Sequence, residues 1–240
     1  MDFFTNLSKF FTDLGQRLYA DFIVENRYMY LVKGLGNTLL ITLGALVIGV
    51  VLGVLVALVR VNHQSNPRKL RVLNAICGIY LTLFRGTPVV VQLMLFYFVF
   101  LSSIRNGILV AVISFGLNSG AYMAEVIRSG IQSVDRGQTE AGRSLGLSQK
   151  QTMTRIILPQ AFKNVAPAVF NEFITLVKET SVAGYVSIAD LTKGGDVLRS
   201  ITLDAFPPLI AVALVYLVIV MILTAILHKI ERRLARSDLR

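Results

Sequence analysis

The chain has 240 residues, 54% of them hydrophobic and 16% charged, with a formal net charge of +10. That composition is too apolar for an ordinary soluble domain and points to several membrane helices, so the surplus of Lys and Arg belongs to cytoplasmic loops rather than to nucleic-acid binding. The single cysteine, Cys77, excludes an internal disulfide and Cys-rich metal sites, the distant His63 and His228 exclude a His-based zinc motif, and no G-x-x-x-x-G-K-S/T phosphate loop is present, so any ATP must be held by another chain.

Residues 1–33 lack the basic region, apolar core and cleavage site of a signal peptide. Instead Phe3, Leu7, Phe10, Phe11, Leu18 and Phe22 recur at helical spacing, with Lys9, Asp13 and Arg17 between them. This is an amphipathic segment, lying either on the membrane surface or against the protein's own flank. The first span lies between Lys33 and Arg60, which enclose 26 uncharged residues, against the roughly 20 that a crossing needs. It carries Gly49-x-x-x-Gly53, a small-residue pattern that lets a second helix approach closely. From Val72 to Leu101 the chain is apolar but interrupted by Arg85-Gly86-Thr87-Pro88. Thr87 is predicted as an N-cap and Pro88 as the first residue of a new helix. Either one broken helix crosses here, or its first half lies along the membrane and the rest crosses.

The third span lies between Arg105 and Glu125, with 19 uncharged residues, and the last between Asp204 and His228, with 23. The fourth, about residues 165–185, is the least apolar and carries Glu172, Lys178 and Glu179. Five crossings put the two ends on opposite sides. The stretches 60–71, 128–163 and 229–240 together hold 15 Lys and Arg, against seven on the other side. The excess belongs inside, so the N-terminus is predicted outside and the C-terminus inside. The expected fold is an all-α integral membrane protein with five transmembrane helices.

The polar connection 128–164 is the longest cytoplasmic one. Asp135 is placed to cap a short helix, and Gly146 to end it in a left-handed turn. Ser148, with Gln151 three residues on, opens a second helix through a capping box, and Pro159 is expected to limit it. The spacing Glu140-Ala141-Gly142, Gly146, then Ile156-x-Leu158-Pro159 resembles the "EAA" motif of bacterial ABC importer permeases. Gly142 stands where Ala is usual, which loosens a helix by about 1 kcal/mol. The segments Leu83-Phe84-Arg85-Gly86-Thr87-Pro88 with Gln92, Leu117 to Glu125, and Asn171-Glu172 to Ser181 are similar to those of the polar amino-acid permeases. The resemblance covers residues 34–230 and leaves 231–240 as a basic tail.

The resemblance implies a permease subunit in a bacterial inner membrane. Its coupling helix, with Leu147 beside the motif residues, would dock on a separate ATPase that holds ATP and Mg. An external amino-acid-binding protein and a second permease, either a copy or a paralogue, complete the implied system. A proton- or sodium-coupled amino-acid transporter is the alternative. No constellation for an intramembrane enzyme is visible, and nothing marks a nucleic-acid partner.

Intramembrane polar residues mark the candidate substrate face. Ser114, Asn118, Tyr122, Glu125 and Ser129 form one stripe on the third span, and Glu172, Thr175 and Glu179 another on the fourth. The resemblance carries a substrate contact onto Glu172. A salt bridge to a neighbouring helix or subunit is the structural alternative. Glu125 is expected to pair with Arg128. Arg85 either bonds free carbonyls at the break, extends to the interface, or meets a substrate carboxylate.

Overall fold

The computed structural model describes residues 2–236, with only the backbone at residues 2–5, 7, 8, 10, 11, 65, 235 and 236. Residues 237–240 of the expected basic tail, and the side chains of Phe3, Leu7, Phe10 and Phe11 in the amphipathic pattern, lie outside the described residues. Every regular element among the described residues is helical.

Helix α1 (Asp2–Leu18) is followed by one wide turn, Tyr19–Ile23, and a reversal at Glu25 and Asn26, which have φ of 53° and 54°. Asp21 is buried, and Arg17 lies 3.6 Å from Asp204, so this end of the segment rests on the protein's own surface. Helix α2 (Tyr28–Ser65) has 38 residues, roughly 57 Å of helix, which exceeds a bilayer core of about 30 Å.

The chain turns through α3 (Arg71–Gly86) and α4 (Val89–Leu95), the latter continuing as a wide turn to Phe100; the two parts are bent by 110°. Thr87 is not the N-cap. It is extended (φ −122°, ψ 147°), as a residue before proline must be, and Pro88 is the cap residue, with ψ 136°. The Thr87 hydroxyl donates back to the Leu83 carbonyl, at 2.8 Å, closing α3 rather than opening α4.

Helix α5 (Gly107–Gln132) is N-capped by Asn106, whose side chain accepts from the Leu109 N–H. Below it stand α6 (Arg136–Ser144) and α7 (Gln149–Thr152). Pro159 does not end the second arm. A wide turn, Met153–Ile157, joins α7 to α8 (Leu158–Glu179), and Pro159 sits in the first turn of α8, where a missing N–H costs little. A tight turn, Thr180–Val186, leads to α9 (Leu191–Thr202) and then α10 (Phe206–Arg236).

Helices α2, α5 and α10 are long and apolar enough to cross a membrane, and the bent α3–α4 pair together makes a fourth candidate. Helix α8 has 22 residues but too many polar groups to qualify by composition. The centre is the α2–α5 pair. A Cβ on Gly49 would lie 2.8 Å from the Ser119 Oγ, and one on Gly53 would lie 2.4 Å from the Met123 Cβ. Glycine at both positions is therefore what allows the contact. Ile41, Ala45, Leu93, Phe115 and Leu176 bring α2, α4, α5 and α8 into one core cluster.

Candidate functional site

The polar hairpin is defined by its caps. The Asp135 Oδ1 accepts from the Gly137 N–H at 2.6 Å. The Ser148 Oγ accepts from the Gln151 N–H at 3.2 Å, while the Gln151 Oε1 accepts from the Ser148 N–H at 2.8 Å, completing the capping box. Gly146 has φ +82°, and Leu147 N–H closes onto the Gly142 carbonyl at 3.2 Å. The Arg143 guanidinium also donates to the Leu147 carbonyl, at 2.8 Å.

Gly142 is buried, and a Cβ there would lie 2.8 Å from the Thr152 Cγ2 and 3.0 Å from the Ile156 Cδ1. Its small size seats α6 against the second arm, which outweighs the propensity cost expected of glycine. Glu140, Ala141 and Pro159 are exposed, and Ile156, Leu158 and Leu147 half-buried. The sequence reading passed over Leu145, which projects at the corner with 81% of its surface exposed. An apolar residue immediately before the turn glycine is the signal that marks it.

Inside the bundle, the break at residues 86–88 leaves helix-end carbonyls to satisfy. The Gln92 Nε2 serves them, donating to Phe84 O at 2.8 Å, to Thr87 O at 3.0 Å and to Thr87 Oγ1 at 2.8 Å. Asn118 on α5 donates to the Gln92 Oε1 at 2.9 Å and to Phe84 O at 3.2 Å. Asn118 is buried, and its amide nitrogen is committed to this network. Arg85 takes no part in it. Its guanidinium lies 4.0 Å from Glu125 and 5.6 Å from the centroid of the Tyr122 ring. Gly86 beside it faces open space.

The two polar stripes meet at one point. The Ser119 hydroxyl, wholly buried on α5, donates to the Glu172 Oε1 on α8 at 2.8 Å. Thr175 is half-buried, and its hydroxyl donates to the Asn171 carbonyl of its own helix, at 3.1 Å. Glu179 lies two turns beyond Glu172, on the same face. Tyr122, one turn along α5 from Ser119, is 40% exposed. Glu125 accepts from Arg128 at 2.6 and 3.3 Å, and Arg128 also donates to Gln132 at 2.8 Å. Ser119, which no stripe included, is thus the residue that joins α5 to the acid of α8.

Several apolar spans, a polar face between two central helices and a capped hairpin beneath them define a multi-pass membrane permease component. The chain belongs to the family of binding-protein-dependent transport system inner membrane components, which it matches over residues 49–236. It is 39% identical over 214 residues to a putative glutamine transport system permease protein of Rickettsia bellii, covering 88% of this chain and 95% of that one. It is 37% identical over 212 residues to an arginine transport system permease protein of Bacillus subtilis, covering 87% and 94%. The crystal structure of an amino acid ABC transporter with histidines superposes with a TM-score of 0.79 at 37% identity, covering 88% and 98%. The MetNI methionine ABC transporter shares the fold, at a TM-score of 0.75 and 21% identity over 86% and 97%.

Proposed function

We propose that this chain is the permease subunit of an ATP-binding-cassette importer that moves a polar or charged L-amino acid inward across a bacterial inner membrane. It crosses five times, with α8 as the fifth crossing, the N-terminus outside and the C-terminus inside. The observation that carries this reading is the double-capped hairpin, fixed by α5 on one side and continuous with α8 on the other. Those two helices also carry Ser119 and Glu172. A push on the hairpin therefore moves the polar face without a flexible joint between them.

The ATPase, with its ATP and Mg, is a separate subunit that receives α6 and the exposed Leu145. A second permease, a copy or a paralogue, completes the pathway by alternating access, and an external binding protein delivers the amino acid. Glu172 meets the cationic part of the substrate, with Tyr122 and Thr175 lining the path. Asn118 acts one step back by holding the α3–α4 break. Relatives named for glutamine and arginine transport support the substrate class.

Affinity purification in mild detergent tests this directly. The expected result is a stoichiometric ATPase that copurifies with the wild type and is lost with Leu145→Asp or a bulky replacement of Gly146, while the permease stays monodisperse. Recovery of a stable, transport-active permease without any ATPase would overturn the reading.

A further inference from the structure

We infer that Arg85, backed by the Tyr122 ring, is the subsite for the α-carboxylate of the transported amino acid. It is the positive counterpart of Glu172 across the exposed face of α5. The inference rests on the reading of Glu172 as the group that meets the substrate's cationic part.

Four observations converge. The carbonyls at the break, which are the natural internal partners for an arginine there, are already taken by Gln92 and Asn118. The one ion pair of Arg85 among the described residues is with Glu125 at 4.0 Å, and that carboxylate is already bonded twice by Arg128, at 2.6 and 3.3 Å. The Arg85 side chain is 45% exposed, beside a cavity of about 410 Å³ that it lines with Arg60, Thr82, Gly86 and Glu125. Three guanidiniums thus surround a single carboxylate, so the cluster carries an unneutralised surplus of positive charge. A cation held at membrane depth without a committed partner is costly and marks a ligand or ion path.

The register supplies the spacing. Ser119, which holds Glu172, and Tyr122, over which Arg85 sits, are three residues apart on α5, a rise of about 4.5 Å. Opposite charges one helical turn apart, flanking an exposed aromatic ring, match the separated ammonium and carboxylate of a zwitterion. A guanidinium fork binds a carboxylate through two parallel hydrogen bonds, a geometry that lysine cannot reproduce. No residue of the chain needs to move to open the site, because Gly86 faces empty space on the same side.

The test is equilibrium binding to the permease–ATPase complex in lipid nanodiscs without the binding protein. The probes are L-arginine, L-glutamine and L-histidine, and the α-carboxamide of each. The wild type is expected to bind at least one acid about tenfold or more tighter than its amide. Arg85→Gln is expected to weaken binding of that acid about tenfold and to leave the amide within about twofold, so that discrimination collapses, with Arg85→Lys intermediate. Glu172→Gln is expected to weaken acid and amide alike, since both keep the ammonium. An unchanged acid-to-amide ratio in Arg85→Gln, or an equal fall in both, overturns the inference. Loss of copurifying acidic phospholipid with that ratio unchanged also overturns it, placing a headgroup there instead. If Arg85→Gln does not assemble, the acid-to-amide ratio of Arg85→Lys decides in the same way. A collapsed ratio in Arg85→Gln beside a silent Glu172→Gln retains the carboxylate subsite and removes Glu172. Failure of the wild-type complex to bind any probe removes both.

Discussion

Helices α5 and α10 are both long enough to cross the membrane, yet they are built on opposite rules. The most apolar stretch of α10 has a mean hydropathy of 3.1 and is 6% buried within the chain, whereas that of α5 has 1.5 and is 61% buried. In water the order would be reversed. In a bilayer the most apolar helix has no reason to hide, and association is driven by close packing and polar contacts. Helix α5 therefore spends its sequence on Gly116, Ser119, Gly120 and Asn118, and α10 on Leu214, Leu217, Met221 and Ile222, which remain exposed. The helix that hydropathy ranks lower is the one that organises the molecule and carries the polar face.

That contrast breaks most severely at α5. Gly53→Val drives a side chain into the Met123 Cβ and the Ala124 backbone, and the expected loss is about 3 kcal/mol or more, seen as loss of the monodisperse peak in detergent. A stable Gly53→Val protein would mean that the α2–α5 contact is looser than described. Asn118→Leu keeps the size but strands the Gln92 Oε1 and removes the bond to Phe84 O. A cost of about 1–2 kcal/mol is expected. A double-mutant cycle with Gln92→Leu should give a clear coupling energy, and simple additivity would dissolve the network.

A smaller effect belongs to the N-terminal segment, outside the spans. Burial holds the Asp21 carboxyl above the usual carboxylate range, with neighbouring Asp204 acting in the same direction and the Thr202 hydrogen bond opposing both. The folded form then binds the proton more tightly than the unfolded form. The associated stability is fully present below the unfolded value of 3.8 and is lost as pH rises through the raised folded value. Amide exchange of residues 19–27 should accordingly quicken as pH rises through that window, and Asp21→Asn should flatten the dependence. An exchange profile that is the same for both proteins counts against a buried acid at this position. At the other end of the scale, Leu214→Ala on the exposed face of α10 should change stability by no more than about 0.5 kcal/mol. A large loss there would show that another chain covers that face.

Much of the local structure was legible before any coordinates. The caps at Asp135 and Ser148 and the left-handed Gly146 follow from side chains and backbone within four residues of one another. The Gly49–Gly53 contact was legible for a similar reason, since a small residue every four positions leaves a groove on one helix face. Thr87 and Pro159 were misassigned because each has two admissible roles. Threonine before proline can cap the next helix or close the last one, and proline can end a helix or begin one. The wide turn at Met153–Ile157, which no short-range signal announces, decided the case of Pro159.

By itself, the sequence determined the class of protein, the main apolar spans and the punctuation of the hairpin. Span length and capping depend on consecutive residues and on the fixed thickness of a bilayer. Only the tertiary structure decided which polar groups answer one another. Gln92 finds Asn118 across 26 residues of chain, and Ser119 finds Glu172 across 53. A hydrogen bond requires its partners within about 3 Å whatever their separation in sequence, and helix packing alone sets that distance. The same packing relieved Arg85 of the break it flanks and left its charge facing an open cavity.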